Sequence, residues 1–223
     1  MSTLRNYVST VRSSFKLNSI DELVSDRYIA SELQNTALKY IKQQTDKRKL
    51  FASPNIFTEL PCIEMIQVPL AECCSYTSPC MIARSKNVLP KIVDNLYGLI
   101  IQGVYSLDKR VSFLQSNPRR YANSLELGLP DKRKFFWFLN GYLYITDPLI
   151  ESCTLDAFFE NVVDVSLYSC NNKQSCPANP LDLEFKVPPN IMDDVIKEVY
   201  NKIKATYKQS VEDPESDDKD ESK

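Results

Sequence analysis

Apolar side chains near the start of the chain recur at spacings of three and four. Leu4, Tyr7, Val8, Val11 and Phe15 form one stripe within residues 3–16 and predict an amphipathic helix. Ser19-Ile20-Asp21-Glu22 then fits the S-x-x-E capping box, in which the serine hydroxyl accepts from the glutamate N–H and the carboxylate accepts from the serine N–H. From there Ile29, Leu33, Ala37 and Tyr40 keep one apolar face to about Lys49, with no glycine or proline between 19 and 53. The pattern predicts a long second helix of roughly 28 residues, about 42 Å at 1.5 Å per residue. Its basic end, Lys42, Lys47, Arg48 and Lys49, suits the negative pole of the helix dipole.

At Pro54 the texture changes. Prolines 54, 61, 69, 79 and 90 punctuate runs rich in Ile, Val, Phe and Thr, the pattern of short strands and loops. Residues 96–107 read as one strand, with Gly98 and Gly103 available for bulges. Residues 112–122 return to helix-like composition, broken at Asn117-Pro118. The sharpest local signal is Asn140-Gly141 between the runs 135–139 and 142–145, which specifies a type I′ hairpin because both turn residues need positive φ. Alternating Cys153, Leu155, Ala157 and Phe159 predict a strand over 152–159. Residues 169–190, with Pro177, Pro180, Pro188 and Pro189, read as loop. Asn190 is placed to cap a last helix running to about Lys208, with Asp193 and Asp194 in its first turn and Met192, Ile196, Val199 and Ile203 along one face.

These elements predict an α+β fold: N-terminal helices including one long helix, a small antiparallel β-sheet insertion with a hairpin, and a C-terminal amphipathic helix. Apolar faces on both terminal helices require a partner, so the two are expected to pack together. We expect one domain over 1–210, helical over 1–50, strand-rich over 54–165, and loop and helix over 166–210. An acidic segment, 211–223, follows. It carries seven acids against Lys219 and Lys223, a sum of −5, so the remaining 210 residues of this −2 chain sum to +3. With no large apolar residue after Val211 it is expected to be disordered in isolation.

Composition narrows the chemistry. There is no histidine, which removes imidazole-based acid/base catalysis, histidine-activated nucleophiles and imidazole metal sites. Only four glycines occur, at 98, 103, 128 and 141, so no glycine-rich phosphate loop can be written. Near-balanced charge excludes a uniformly basic nucleic-acid binder. No stretch of eighteen apolar residues predicts a membrane span, and the opening residues do not read as a signal peptide. Seven cysteines, an odd number, favour reduced thiols over a disulfide framework.

Four constellations come closest to a functional site. Cys62, Cys73, Cys74 and Cys80 could supply a four-sulfur zinc site, but paired C-x-x-C knuckles are missing, and Cys170 and Cys176 are also wrongly spaced. Asp147, Glu151, Asp156 and Glu160 could pair for glycosidase-type catalysis, although Asp147-Pro148 reads as a turn opening. The aromatics 135–138 behind Arg133 and Lys134 resemble a base-stacking platform. Strand alternation instead assigns two of the four to the core and the others to a neighbouring subunit. Arg119-Arg120 and Lys132-Arg133-Lys134 read as solvated basic pairs. No catalytic, cofactor-binding or metal residue is assigned, and no cofactor is expected.

Several phrases resemble virion structural proteins of crAss-like podoviruses: Asp26-Arg27-Tyr28-Ile29-x-x-Glu32, residues 42–50, Leu60-Pro61-Cys62-Ile63-Glu64-Met65, Ala83-Arg84-Ser85-Lys86-x-x-Leu89-Pro90, and Leu155-Asp156-Ala157-Phe158-Phe159-Glu160-Asn161. The likeness spans about residues 20–165. It implies a head-to-tail connector ring below the portal, joining capsid to tail and forming part of the DNA conduit. Implied partners are copies of itself in a ring, the portal protein and other neck or tail proteins. Double-stranded DNA would pass without sequence readout, and no membrane is involved. The implied location is the virion neck or tail, after assembly in the bacterial host cytoplasm. The role would be structural rather than enzymatic. The competing readings are a phage-encoded carboxylate-dependent glycan hydrolase, which needs two acids converging in a cleft, and an assembly adaptor absent from the mature particle.

Overall fold

The structure is a computed structural model and describes residues 3–15, 24–46, 56–72, 80–126, 133–168 and 179–211. Helix α1, Leu4–Phe15, forms where the three-and-four stripe predicts it, burying Leu4, Val8, Val11 and Phe15. Helix α2 runs Asp26–Asp46. It begins later than the stripe suggests because Ser25 caps it: the Ser25 hydroxyl and carbonyl accept from Tyr28 N at 3.3 and 3.0 Å, and the carbonyl also accepts from Ile29 N at 3.1 Å. The capping box at 19–22 and the basic residues 47–49 lie outside the described residues. Helix α5, Pro189–Val211, begins one residue before the expected cap. Pro189 occupies the first helical position, where its missing N–H costs nothing, and the Pro188 carbonyl accepts from Ile191 N and Met192 N, both at 3.0 Å. Asn190 is therefore inside the helix rather than its cap.

The three helices form one layer, as their apolar faces require. Ile29, Leu33, Ala37 and Ile41 of α2 meet Met192, Val195, Val199 and Ile203 of α5, with Val8, Val11 and Phe15 of α1 completing the cluster. Phe15 stacks on Tyr200 with ring centroids 4.9 Å apart. Ion pairs Lys39–Glu198 (2.9 Å) and Lys202–Glu32 (2.5 Å) run along the α2–α5 seam, and Arg12–Asp26 (2.5 Å) ties α1 to the start of α2.

The middle of the chain is not the small sheet the local patterns predict but a closed barrel. Among the described residues its strands are β1 (Thr58–Pro69), β2 (Met81–Ser85), β5 (Ile101–Ser106), β6 (Ser112–Gln115), β7 (Phe135–Leu139), β8 (Tyr142–Ile145) and β9 (Ser152–Ala157). They close in the order β1-β2-β8-β7-β6-β5-β9 and back to β1. A ring of seven strands cannot alternate direction throughout, so one neighbouring pair must be parallel. That pair is β6–β7, with Leu114 opposite Phe135 and Gln115 opposite Phe136. A parallel pair needs a long crossover, which helix α3, Pro118–Glu126, provides. Residues 112–115 are thus strand, not helix, and the break falls at Asn117-Pro118: the Asn117 side chain accepts from Arg120 N at 3.1 Å and Pro118 opens α3.

β1 serves two neighbours because it bends. Its first half pairs with β9 and its second with β2, and the register slips between Leu60 and Ile63. Pro61 cannot donate to the ladder and Cys62 takes φ 54°, the local geometry of a bulge. Residues 96–107 also divide. A two-stranded hairpin, β3 (Asp94–Asn95) and β4 (Gly98–Leu99), turns at Leu96-Tyr97 before β5 starts, and Gly98 at φ 115° makes that turn possible. The expected bulge appears at Gly103, where the β5–β9 register shifts. Asn140 and Gly141 have φ 51° and 79°, as the β7–β8 hairpin requires.

Inward-facing residues fill the barrel: Leu60, Ile63, Val104, Phe113, Phe136, Leu143, Ile145, Cys153 and Leu155 are buried together. β9 follows the predicted alternation, with Cys153, Leu155 and Ala157 pointing in, while Phe159 lies just beyond it in a bridge to Ile92. Strand directions fix the two ends. β1, β5 and β8 finish, and β2, β6, β7 and β9 begin, at an end carrying the β5–β6 turn and the β8–β9 connection. At the other end Ile56, Val93, Ile100 and Phe158 leave the barrel wall and enter the helical cluster. Backbone bonds Val93 N to Phe158 O (2.8 Å) and Phe158 N to Ile100 O (3.0 Å) carry the ladder across this junction. A short helix α4, Val162–Leu167, follows, capped by the Asn161 side chain.

Candidate assembly surface

The structure divides the four acids that suggested catalysis between the two ends of the barrel. Asp147 and Glu151 sit on the β8–β9 connection, and Asp156 and Glu160 lie at the helix-capped end of β9. Glu151 and Asp156 are five strand residues apart, roughly 16 Å. Asp147 pairs with Lys134 at 2.5 Å and accepts from Leu149 N at 3.1 Å. Burial pushes its carboxyl up, but the Lys134 hydrogen bond, the backbone donor and the Lys134 charge together bring it below the usual aspartate value. Glu160 pairs with Lys91 at 3.0 Å. Asp156 faces outward on β9, and its carboxyl is raised by burial and by the nearby Glu59 charge, against the opposing pull of Lys109 and Lys186.

Three of the seven cysteines lie among the described residues. These are Cys62, Cys80 and Cys153, of which Cys62 and Cys153 are free thiols; Cys73, Cys74, Cys170 and Cys176 lie outside the described residues. Cys153 is buried inside the barrel, and burial pushes its thiol up to about 12. Among the described residues no group of three His, Cys, Asp or Glu side chains could hold a metal ion, and no helix is long and apolar enough to cross a membrane.

The aromatic run divides by alternation, as expected. Phe136 and Phe138 face the barrel interior and touch edge to face at 6.0 Å. Trp137 faces outward, but it is covered by this chain rather than by a neighbour: it stacks on Tyr144 at 6.1 Å and Tyr121 of α3 lies 5.7 Å away. Phe135 is half-buried, with the Arg133 guanidinium 5.8 Å over its ring. Arg119 and Arg120 lie in the first turn of α3, and Lys132 falls outside the described residues.

What stands out at the surface are apolar side chains that the periodicity reading did not single out. Leu96 and Tyr97, at the tip of the β3–β4 hairpin, are 85% and 67% exposed. The tip is fixed by Asn95 Oδ1 accepting from Tyr97 N (2.8 Å), by Asp46 Oδ1 of α2 accepting from Leu96 N (3.3 Å), and by a Lys42–Asp94 ion pair (3.3 Å). The Lys42 hydrogen bond and charge hold Asp94 below the usual carboxylate range. At the opposite end of the barrel Leu149 is 81% exposed, and Met81, Leu107 and Val111 join it. Their turns are equally ordered. Gln67 Nε2 donates to Pro148 O (2.9 Å), while Ser106 Oγ donates to Asp108 Oδ1 (2.5 Å), which also accepts from Arg110 N (3.2 Å). Exposed leucines on short turns and connections have no periodic signature, so only the fold reveals them.

A rigid α+β body with apolar side chains held out on ordered turns is the equipment of an assembly subunit. The chain belongs to the phage tail ring protein 2 family of crAss-like phages, whose match covers residues 6–222. It is therefore a ring-type structural component of a phage tail, located in the neck or tail of the virion. No curated protein matches the chain.

Proposed function

We propose that this chain is a subunit of the head-to-tail connector, a ring of identical copies that sits below the portal, contacts neck or tail proteins, and surrounds the path of the genome. The observation that carries this reading is the combination of family membership over nearly the whole chain with fixed apolar side chains on the surface of a pre-ordered body. Such a subunit gives up little conformational entropy when it assembles.

Charge supports passage of DNA without readout. Six basic side chains on the surface are paired locally: Arg5 with Asp182, Lys39 with Glu198, Lys86 with Glu64, Lys109 with Glu59, Lys134 with Asp147 and Lys202 with Glu32. A lumen wall of paired charges holds phosphate weakly, whereas a stripe of free lysines would retard the genome. The acidic segment beyond α5, if it docks, meets opposite charge on a partner ring, because ordering a charged segment needs an attraction to offset the entropy lost. Mass spectrometry of purified virions tests the reading. The chain is expected at a copy number comparable to portal and other ring proteins; its absence from mature particles would make it an assembly adaptor instead.

A further inference from the structure

The two exposed apolar groups lie at opposite ends of the subunit. The β3–β4 hairpin enters from the helix-capped end, since it precedes β5, which starts there. Leu107 and Val111 flank the β5–β6 turn and Leu149 lies on the β8–β9 connection, both at the other end. A two-fold dimer uses one patch twice. A closed ring needs two different patches, one for each neighbour, placed on opposite sides of every copy. We propose, resting on the ring reading above, that the occupant of each end is a second copy of this chain: the Leu96-Tyr97 tip of one subunit packs against Leu107, Val111 and Leu149 of the next.

Charge agrees with this pairing. The tip segment 94–97 carries one acid and no base of its own, and the Asp94 side chain stays 68% exposed beside Leu96 although Lys42 of α2 pairs with it at 3.3 Å. The facing turn 107–111 carries Asp108, Lys109 and Arg110; Lys109 pairs with Glu59, while the Arg110 side chain is 85% exposed and, among the described residues, meets Asp108 at a long 3.5 Å. An exposed aspartate from one copy, shared with its own Lys42, therefore arrives beside the exposed Arg110 guanidinium of the next, at the rim of an apolar contact. Both surfaces are fixed by hydrogen bonds to their own subunit before they meet, which is what a contact repeated around a ring requires.

The test uses the full chain and two single variants, Leu96→Glu and Leu149→Glu. Both positions are solvent-exposed, so each variant is expected to keep the wild-type circular dichroism spectrum. In analytical ultracentrifugation the wild type should form a closed oligomer. Each variant alone should run as a monomer, its association weakened roughly 30-fold or more, the effect of losing one hot-spot residue. Mixed in equal amounts, the two variants should give a 1:1 dimer and nothing larger, because the one intact tip meets the one intact opposite end and the remaining ends both carry glutamate. A wild-type ring whose size survives either substitution, or a mixture that yields no dimer, overturns this contact and leaves the ring reading standing. A wild type that stays monomeric at its highest soluble concentration overturns both.

Discussion

Removing Leu33 asks whether the helical layer and the barrel fold as one body. Leu33 is fully buried and belongs to the helical cluster rather than to the barrel cluster. Truncation to alanine deletes three side-chain carbons from a packed site and leaves a void, which costs about 3 kcal/mol. With a urea slope of about 2 kcal/mol per molar, the unfolding midpoint should fall by about 1.5 M. The chain has one tryptophan, Trp137, in the barrel wall, so its fluorescence reports the barrel while far-ultraviolet circular dichroism reports mainly the helices. We expect both signals to move together by the same amount in Leu33→Ala, because Val93, Ile100 and Phe158 join the two cores through a continuous backbone ladder. Measuring at several protein concentrations separates association from folding. A fluorescence midpoint that stays at the wild-type value while the helical signal falls early would refute the single-domain reasoning.

Three further outcomes follow from particular contacts. Gly141→Ala places a Cβ at φ 79° and 2.9 Å from Val88 Cγ1, and should cost about 1–2 kcal/mol in thermal or urea unfolding; a neutral result would contradict the turn geometry. The raised Asp156 carboxyl means folding favours its protonated form, so its contribution is present below the ordinary aspartate pKa and is lost as pH rises through the higher folded value. Its Oδ1 is buried without a hydrogen-bond partner, so Asp156→Asn should raise Tm at pH 7 with the gain disappearing near pH 3, and a gain that persists in acid would argue against the electrostatic cause. Truncation after Ser210 should leave Tm almost unchanged but reduce incorporation into particles at low salt, where the docking term is strongest; normal incorporation there would make the segment a solubilising extension only.

The helical part of the fold was legible because its signal is local. Val8, Val11 and Phe15, or Val199 and Ile203, repeat within a few residues, and the repeat survives in the structure as a shared apolar cluster. Asn140-Gly141 was legible for the same reason: two adjacent residues specify the turn. Barrel closure was not, because it depends on partners far apart in sequence. Leu60 pairs with Leu155 and Val104 with the same Leu155, and no window of ten residues holds that information. The four residues of β6 are too short to show alternation, and they are a strand because β5 and β7, distant from each other in sequence, pair with them on either side. Of the candidate surfaces, the aromatic run was half legible. Alternation assigned its two sides, while the cover over Trp137 came from α3, whose position depends on the crossover.

The central claim is that copies of this chain form a closed ring in the phage neck or tail. Cryo-electron microscopy of intact virions tests it most directly. The expected result is a cyclic layer around the tail axis below the portal, each subunit a helix-capped seven-strand barrel, with the Leu96-Tyr97 hairpin of one copy against the β5–β6 turn of the next. A reconstruction in which every ring layer is filled by other folds, with no density for this barrel, would contradict it.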